Sequence, residues 1–164
     1  MFELKGLPSH ATLLQFAARF PSLDISALET WLGLMRVSAE LMADFEALLA
    51  QHGLSQTKFW VLILLKRNPV GLALTQLAAS AGVSNPTMTG IVDRMERDLL
   101  VARHNDANDR RAYIVQLTAA GEALLDATLP HHYERVGSLL TPLSIEERAQ
   151  LSALLLKLLP TTSC

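Results

Sequence analysis

The stretch "LTQLAASAGVSNPTMTGIVDRMERDLL", residues 74–100, allows few folds. Thr75 is a good N-cap for a short helix over Gln76–Ala81, and Gly82 closes it. Ser84 caps again, and Pro86 is tolerated in a first helical turn, where its missing N–H goes unmissed. The second helix should run to about Arg97, with Met88, Ile91, Val92 and Met95 facing inward at helical spacing. Asn85, Thr87, Thr89 and Arg94 are then left facing outwards. Two helices joined by a tight Gly-containing turn make a helix-turn-helix. Short polar side chains at the start of its second helix suit contact with base edges in a major groove. A methyl of Thr87 or Thr89 could also meet a thymine methyl. An ordinary helical hairpin with a solvated polar face fits these residues equally well.

The residues that follow shift the balance. "LLVARH" and "RAYIVQLT" alternate apolar and polar positions, with Val101, Tyr113, Val115 and Leu117 suited to a half-buried face. The polar residues 105–111 lie between these strands, which makes a two-stranded hairpin directly after the helix pair. Thr118 then caps a further helix beginning "TAAGEALLDATL". The expected fold class is mainly α with a small β-hairpin wing.

The rest of the chain reads as helix. Residues 1–23 form an extension, in which Ser9 caps a short helix through Phe20 that Pro21 stops. From Asp24 to His52 a long amphipathic pattern places Leu28, Trp31, Leu32, Met35, Ala39, Met42, Phe45 and Leu49 three and four residues apart. Ser55 caps a helix that is apolar almost all round from Phe59 to Leu65, which suits the centre of a core, and Asn68-Pro69 ends it. Ser144 and Glu147 form a capping box before the Leu-rich end "LSALLLKLLP". Half the 164 residues are apolar and the mean hydropathy is +0.26, yet the longest uninterrupted apolar run, Phe59–Leu65, is seven residues. A bilayer span needs about 18. A partner subunit, not a membrane, is therefore expected to cover the excess. The start of the chain lacks the pattern of a signal peptide and Cys164 is the lone cysteine, so a cytoplasmic protein is expected, with no redox role for that terminal thiol.

These motifs resemble the MarR family of bacterial transcriptional regulators over roughly residues 24–160. The carriers are "HGLSQTKFWVLILL", "LTQLAASAGVSNPTMTGIVDRME" and "DANDRRAYIVQLTAAGEALL", the last being the most specific. The resemblance implies a winged helix-turn-helix domain, with the helix-turn-helix at 75–98 and the wing at 99–118. It also implies N- and C-terminal dimerisation helices at 24–52 and 119–160, interlocked in a homodimer. The implied function is a DNA-binding regulator, most often a repressor, released from a palindromic operator by a small aromatic or phenolic effector. Bases would be read by Asn85, Thr87 and Thr89, with Ser84 and Arg94 nearer phosphate. In the wing, Arg110 would enter the minor groove and Arg111 would hold the finger, braced by Asp106 and Asp109. Trp31 and Met35 could line an effector pocket, although such residues more often belong to a core. Two departures stand out: Ala107 follows Asp106 where the family commonly has proline, and no glycine follows the recognition helix at Asp98-Leu99-Leu100.

Charge argues for restraint. The net charge is −2, and residues 84–118 carry five arginines against five acids, so non-specific DNA affinity should be modest. A winged-helix module that binds protein instead of DNA is the rival reading. No catalytic constellation or phosphate loop is present in the sequence, and neither enzyme activity nor a cofactor is expected. His131, His132 and Glu134 have some of the spacing of a metal site but no further ligand nearby, so no metal is expected.

Overall fold

The computed structural model describes residues 6–20, 22–105 and 113–159. It divides the chain into two compact units, residues 1–51 and 52–164.

The first unit holds two helices. Helix α1 spans His10–Ala17, with the Ser9 hydroxyl accepting from the Thr12 amide at 3.2 Å. It ends short of Phe20: the Ala18 amide still bonds the Leu14 carbonyl, but the Arg19 amide turns to the closer carbonyl of Phe16 and the Phe20 amide is shared between Phe16 and Ala17. Helix α2 spans Ile25–Gln51, and Asp24 Oδ1 caps it by accepting from the Ala27 amide at 3.0 Å. His10 and Glu29 tie the two helices together at 2.6 Å. Trp31 and Met35 do not take the core position that such residues usually occupy. They lie one turn apart on α2, 58% and 51% exposed.

The second unit is built around α3 (Gln56–Arg67), capped by Ser55 and ended at Asn68. Phe59, Val61, Leu62 and Leu65 are buried. The helix is not enclosed all round, however, since Trp60 stays 43% exposed. A two-residue strand β1 (Leu72–Ala73) leads into α4 (Leu74–Ala81). Thr75 is therefore inside the helix and not its cap. The side chain of Gln76 reaches back to accept from the Ala73 amide at 2.9 Å, and pairing of β1 fixes the chain one residue earlier. Gly82 closes α4 at φ +65°, a left-handed conformation that costs other residues energy. Helix α5 (Asn85–Arg97) follows its Ser84 cap, and Met88, Ile91, Val92 and Met95 are all buried.

Strands β2 (Val101–Asn105) and β3 (Tyr113–Leu117) pair antiparallel from Val101↔Leu117 to Asn105↔Tyr113. The sheet has three strands, not two, because β1 pairs with the other edge of β3 through Leu72↔Val115. Val101 and Val115 are buried, whereas Tyr113 at the outer end is 53% exposed: the body covers only the base of the hairpin. Helix α6 (Ala119–Leu140) begins at the Thr118 cap and continues through Pro130. Helix α7 (Ile145–Leu158) starts from the expected capping box, with Glu147 accepting from the Ser144 amide and Ser144 from that of Glu147. It has no buried side chain.

The missing glycine after α5 has a clear replacement. Leu99 takes φ +60°, and the amides of Leu99 and Leu100 bond the carbonyls of Glu96 and Met95, both at 2.9 Å. This is a Schellman closure with leucine in the place of glycine. The left-handed conformation costs a non-glycine residue about 1–2 kcal/mol, and glycine loses about 0.5–1 kcal/mol of that advantage to unfolded-state entropy. The Leu99 side chain is 71% exposed, so little packing is at stake. Leu99→Gly should therefore stabilise the protein by about 0.5–1 kcal/mol. A thermal melt that fails to rise by a degree or more would show that the side chain compensates.

Candidate nucleic-acid interface

The inner face of α5 is anchored by its four buried apolar residues, which leaves Asn85, Pro86, Thr87, Thr89 and Arg94 exposed along the other side. The first turn is tightly specified. Ser84 Oγ accepts from the Thr87 amide at 3.3 Å and shares a 2.8 Å hydrogen bond with the Thr87 hydroxyl. The Thr89 hydroxyl donates to the Asn85 carbonyl at 2.9 Å. Both threonine hydroxyls are thus oriented by the helix itself, and what Thr89 offers outward is a methyl group and an oxygen lone pair.

The acids beside this face are held by cations. Asp93 and Glu96 on α5 both engage Arg103 of β2, at 2.5 Å and 3.3 Å, and Glu96 also accepts from the Arg103 amide at 3.2 Å. Asp98 pairs with Lys58 of α3 at 2.8 Å, and that hydrogen bond with its charge holds the Asp98 carboxyl below the usual range. Arg94 and Arg97 make no side-chain ion pair among the described residues, although Arg97 Nε donates to the Asp93 carbonyl at 3.3 Å. The even count of arginines and acids therefore overstates how much negative charge is presented outward.

Sequence reasoning counted Arg103 only as one charge among several. Its guanidinium is in fact the joint between the second helix of the helix-turn-helix and the strand that leads to the wing. The only signal in the sequence was a cation in the polar phase of a strand ten residues after an acid, which is common and points nowhere in particular. The wing residues Asp106, Asp109, Arg110 and Arg111 lie outside the described residues.

The wing's base is fixed by the start of α6. Thr118 Oγ1 accepts from the Gly121 amide at 3.1 Å and donates to the Leu99 carbonyl at 2.6 Å, while the Thr118 amide bonds the Leu100 carbonyl at 3.2 Å. Lys66 of α3 bonds Glu122 and lies 3.5 Å from Asp126, which ties the core helix to α6 and raises the Lys66 pKa.

Elsewhere, a groove of about 480 Å³ runs between α3 and α4, with Trp60, Ile63, Leu64 and Arg67 on one wall and Ser80 and Ala81 on the other. Trp31 and Met35 are not among its lining residues. The neighbouring histidines of α6 face different partners. His131 Nδ1 lies 3.1 Å from His52 Nε2, whereas the His132 ring packs edge-on against Phe59, where burial lowers its pKa. Among the described residues no group of three or more His, Cys, Asp or Glu side chains is placed to hold a metal.

Comparison with known proteins agrees with this geometry. A model of the MarR family matches residues 54–113. The HTH-type transcriptional repressor YetL of Bacillus subtilis is 33% identical over 147 residues, covering 89% of this chain and 88% of its own. Among solved structures, the MepR–DNA complex of Staphylococcus aureus superposes with a TM-score of 0.69 at 28% identity, over 78% of this chain and 93% of that one. The Bordetella bronchiseptica protein BpsR, whose DNA binding is regulated by 6-hydroxynicotinic acid, gives 0.67 at 26% identity, over 79% and 97%.

Proposed function

The chain belongs to the MarR family of transcriptional regulators, and on that premise we propose that it is a dimeric repressor whose two winged helices bind a palindromic operator. The observation that carries this reading is α5 itself: an anchored inner face, a polar outer face, and flanking acids engaged by Arg103 and Lys58. In this reading Asn85, Thr87 and Thr89 read base edges, and Arg94 approaches phosphate. The Ser84 hydroxyl is engaged as the cap, so its main part is to set the helix start against the backbone. Arg110 enters the minor groove, with Arg111, Asp106 and Asp109 fixing its aim.

The dimer is built from α2, α6 and α7. Leu154, Leu156 and Leu158 on α7, Tyr133 on α6 and Trp31 and Met35 on α2 are all more than half exposed, and an isolated chain would leave these apolar faces in water. Light scattering at micromolar concentration should report about twice 18.0 kDa. A folded species of single-chain mass would remove the basis for the paired reading heads. Trp31 and Met35, being exposed in the single chain, are available to line an effector pocket at that interface. The effector is a small aromatic or phenolic molecule that alters the spacing of the two recognition helices. No helix of the described residues is long and apolar enough to cross a membrane, and a cytoplasmic location follows from the proposed work on DNA.

A gel shift against genomic fragments at several salt concentrations tests the function. Operator affinity should fall steeply with salt as phosphate counterions are released. A protein-binding module would show no shift at any salt. Half-sites should lie about one helical turn, ~10 bp, or a multiple of it apart. With an operator in hand, Thr89→Ala should change the preferred sequence at one position of each half-site. Uniform weakening across operator variants would demote Thr89 to a backbone contact.

A further inference from the structure

Two histidines outside the reading head converge although neither the reading head nor the proposed dimer needs them to. His52 sits in the turn between α2 and α3, ahead of the buried Leu54, and His131 lies in the middle of α6. His52 Nε2 and His131 Nδ1 face each other at 3.1 Å, with ring centroids 5.1 Å apart and planes inclined by 32°. Only one of the two nitrogens can carry a hydrogen in that contact, so the other directs a lone pair at it.

The spacing matches the bite of a metal ion. At Zn–N distances of about 2.0–2.1 Å, two imidazole nitrogens on a tetrahedral ion lie about 3.3 Å apart. Cis positions on a tetragonal copper ion bring them closer, to about 2.9 Å. The observed separation falls between the two values, so the nitrogens are already spaced for one ion. It would sit to the side of the line joining them, and each ring turns about its side-chain bonds to aim its lone pair there. Both side chains reach solvent, which lets water complete the coordination sphere. His132 cannot serve as an alternative, since its ring is packed on Phe59.

We propose that His52 and His131 form a two-imidazole site for a borderline divalent transition-metal ion of the Zn²⁺ or Cu²⁺ class. The ion ties the turn that enters α3 to α6. Because α3 also packs against α4, the site lies one helix away from the helix-turn-helix.

The test is calorimetric titration of the purified full-length protein with ZnCl2 and, separately, CuCl2, in a non-chelating buffer without DNA. One ion per chain should bind saturably, raise the melting temperature and be removed by EDTA. His52→Gln and His131→Gln should each weaken the ion by about tenfold or more, and His132→Gln should leave it in place. X-ray absorption on the zinc-loaded protein should show scattering from two imidazole rings. Absence of saturable binding overturns the proposal, as does binding that survives both His52→Gln and His131→Gln. Should the His52 variant fail to fold, the His131 variant and the absorption spectrum decide. Since no readout involves DNA, failure here leaves the repressor reading untouched, and the reverse also holds.

Discussion

Gly121→Ala should destabilise the protein by about 3 kcal/mol or more, the upper end of what overpacking costs. A Cβ at this position would lie 2.1 Å from the Leu100 carbonyl oxygen and 2.8 Å from Leu117 Cδ1. The first of these is backbone that cannot swing away, because the Thr118 amide bonds the same oxygen and the Thr118 hydroxyl bonds the carbonyl before it. Leu100 is also the residue whose amide closes α5. One added methyl therefore presses on the closure of α5, the residue leading into β2 and the cap of α6 together. At about 2–4 °C per kcal/mol for a chain of this length, the melting temperature should fall by roughly 6–12 °C. Operator affinity should fall with it even where the protein is still folded, since α5 and β2 share the displaced segment. A Gly121→Ala protein that melts within two degrees of the parent would mean the junction yields easily, and the rigid coupling of wing to helix would have to be abandoned.

That junction also shows where sequence reading succeeds and where it stops. "Leu-Thr-x-x-Gly" was legible as a motif and Thr118 as a cap, because a cap depends on neighbours three residues away. The same locality made α5 readable: its inward face follows from helical spacing, and Ser84, Ser55, Gly82 and the Ser144–Glu147 box are local punctuation. The reason for the glycine was not readable, since it is the approach of a carbonyl from 21 positions earlier. Strand β1 escaped for the same reason, being two residues long and defined only by pairing with Val115 and Ile114. Thr75 looked like a cap from its residue type, but long-range strand pairing moved the helix start to where Gln76 could do the work. Lys58–Asp98, 40 residues apart, and the Arg103 joint are side-chain meetings that only the fold creates. Trp31 and Met35 illustrate a different limit, because an apolar stripe says that something will be covered without saying by which chain.

Arg110→Ala should weaken operator binding by more than tenfold, about 1.4 kcal/mol, with thermal stability and dimer mass unchanged. The argument begins with Arg103, the one arginine of the wing's described strands. It is engaged by two carboxylates of α5 and cannot leave them without stranding both. The cations left for the wing to offer DNA are Arg110 and Arg111. The alternation expected from the sequence puts neighbouring residues on opposite sides of a strand, so the two are not expected to enter one groove alike. The narrow minor groove of A·T-rich DNA carries a strong negative potential and accepts a flat guanidinium edge-on. On the proposed reading Arg110, the first of the pair, makes that insertion, and Arg111 holds the finger against a phosphate or an acid. Asp106 and Asp109 would repel DNA if left free, so bracing the turn is the role consistent with binding. Loss of one inserted cation should lower the salt dependence of binding by about one charge. Arg103→Met provides the contrast: it should lower both affinity and melting temperature, because it unpairs Asp93 and Glu96 and loosens the wing from α5. If Arg110→Ala binds the operator like the parent while Arg103→Met does not, the wing acts as a support for α5 and reads no groove.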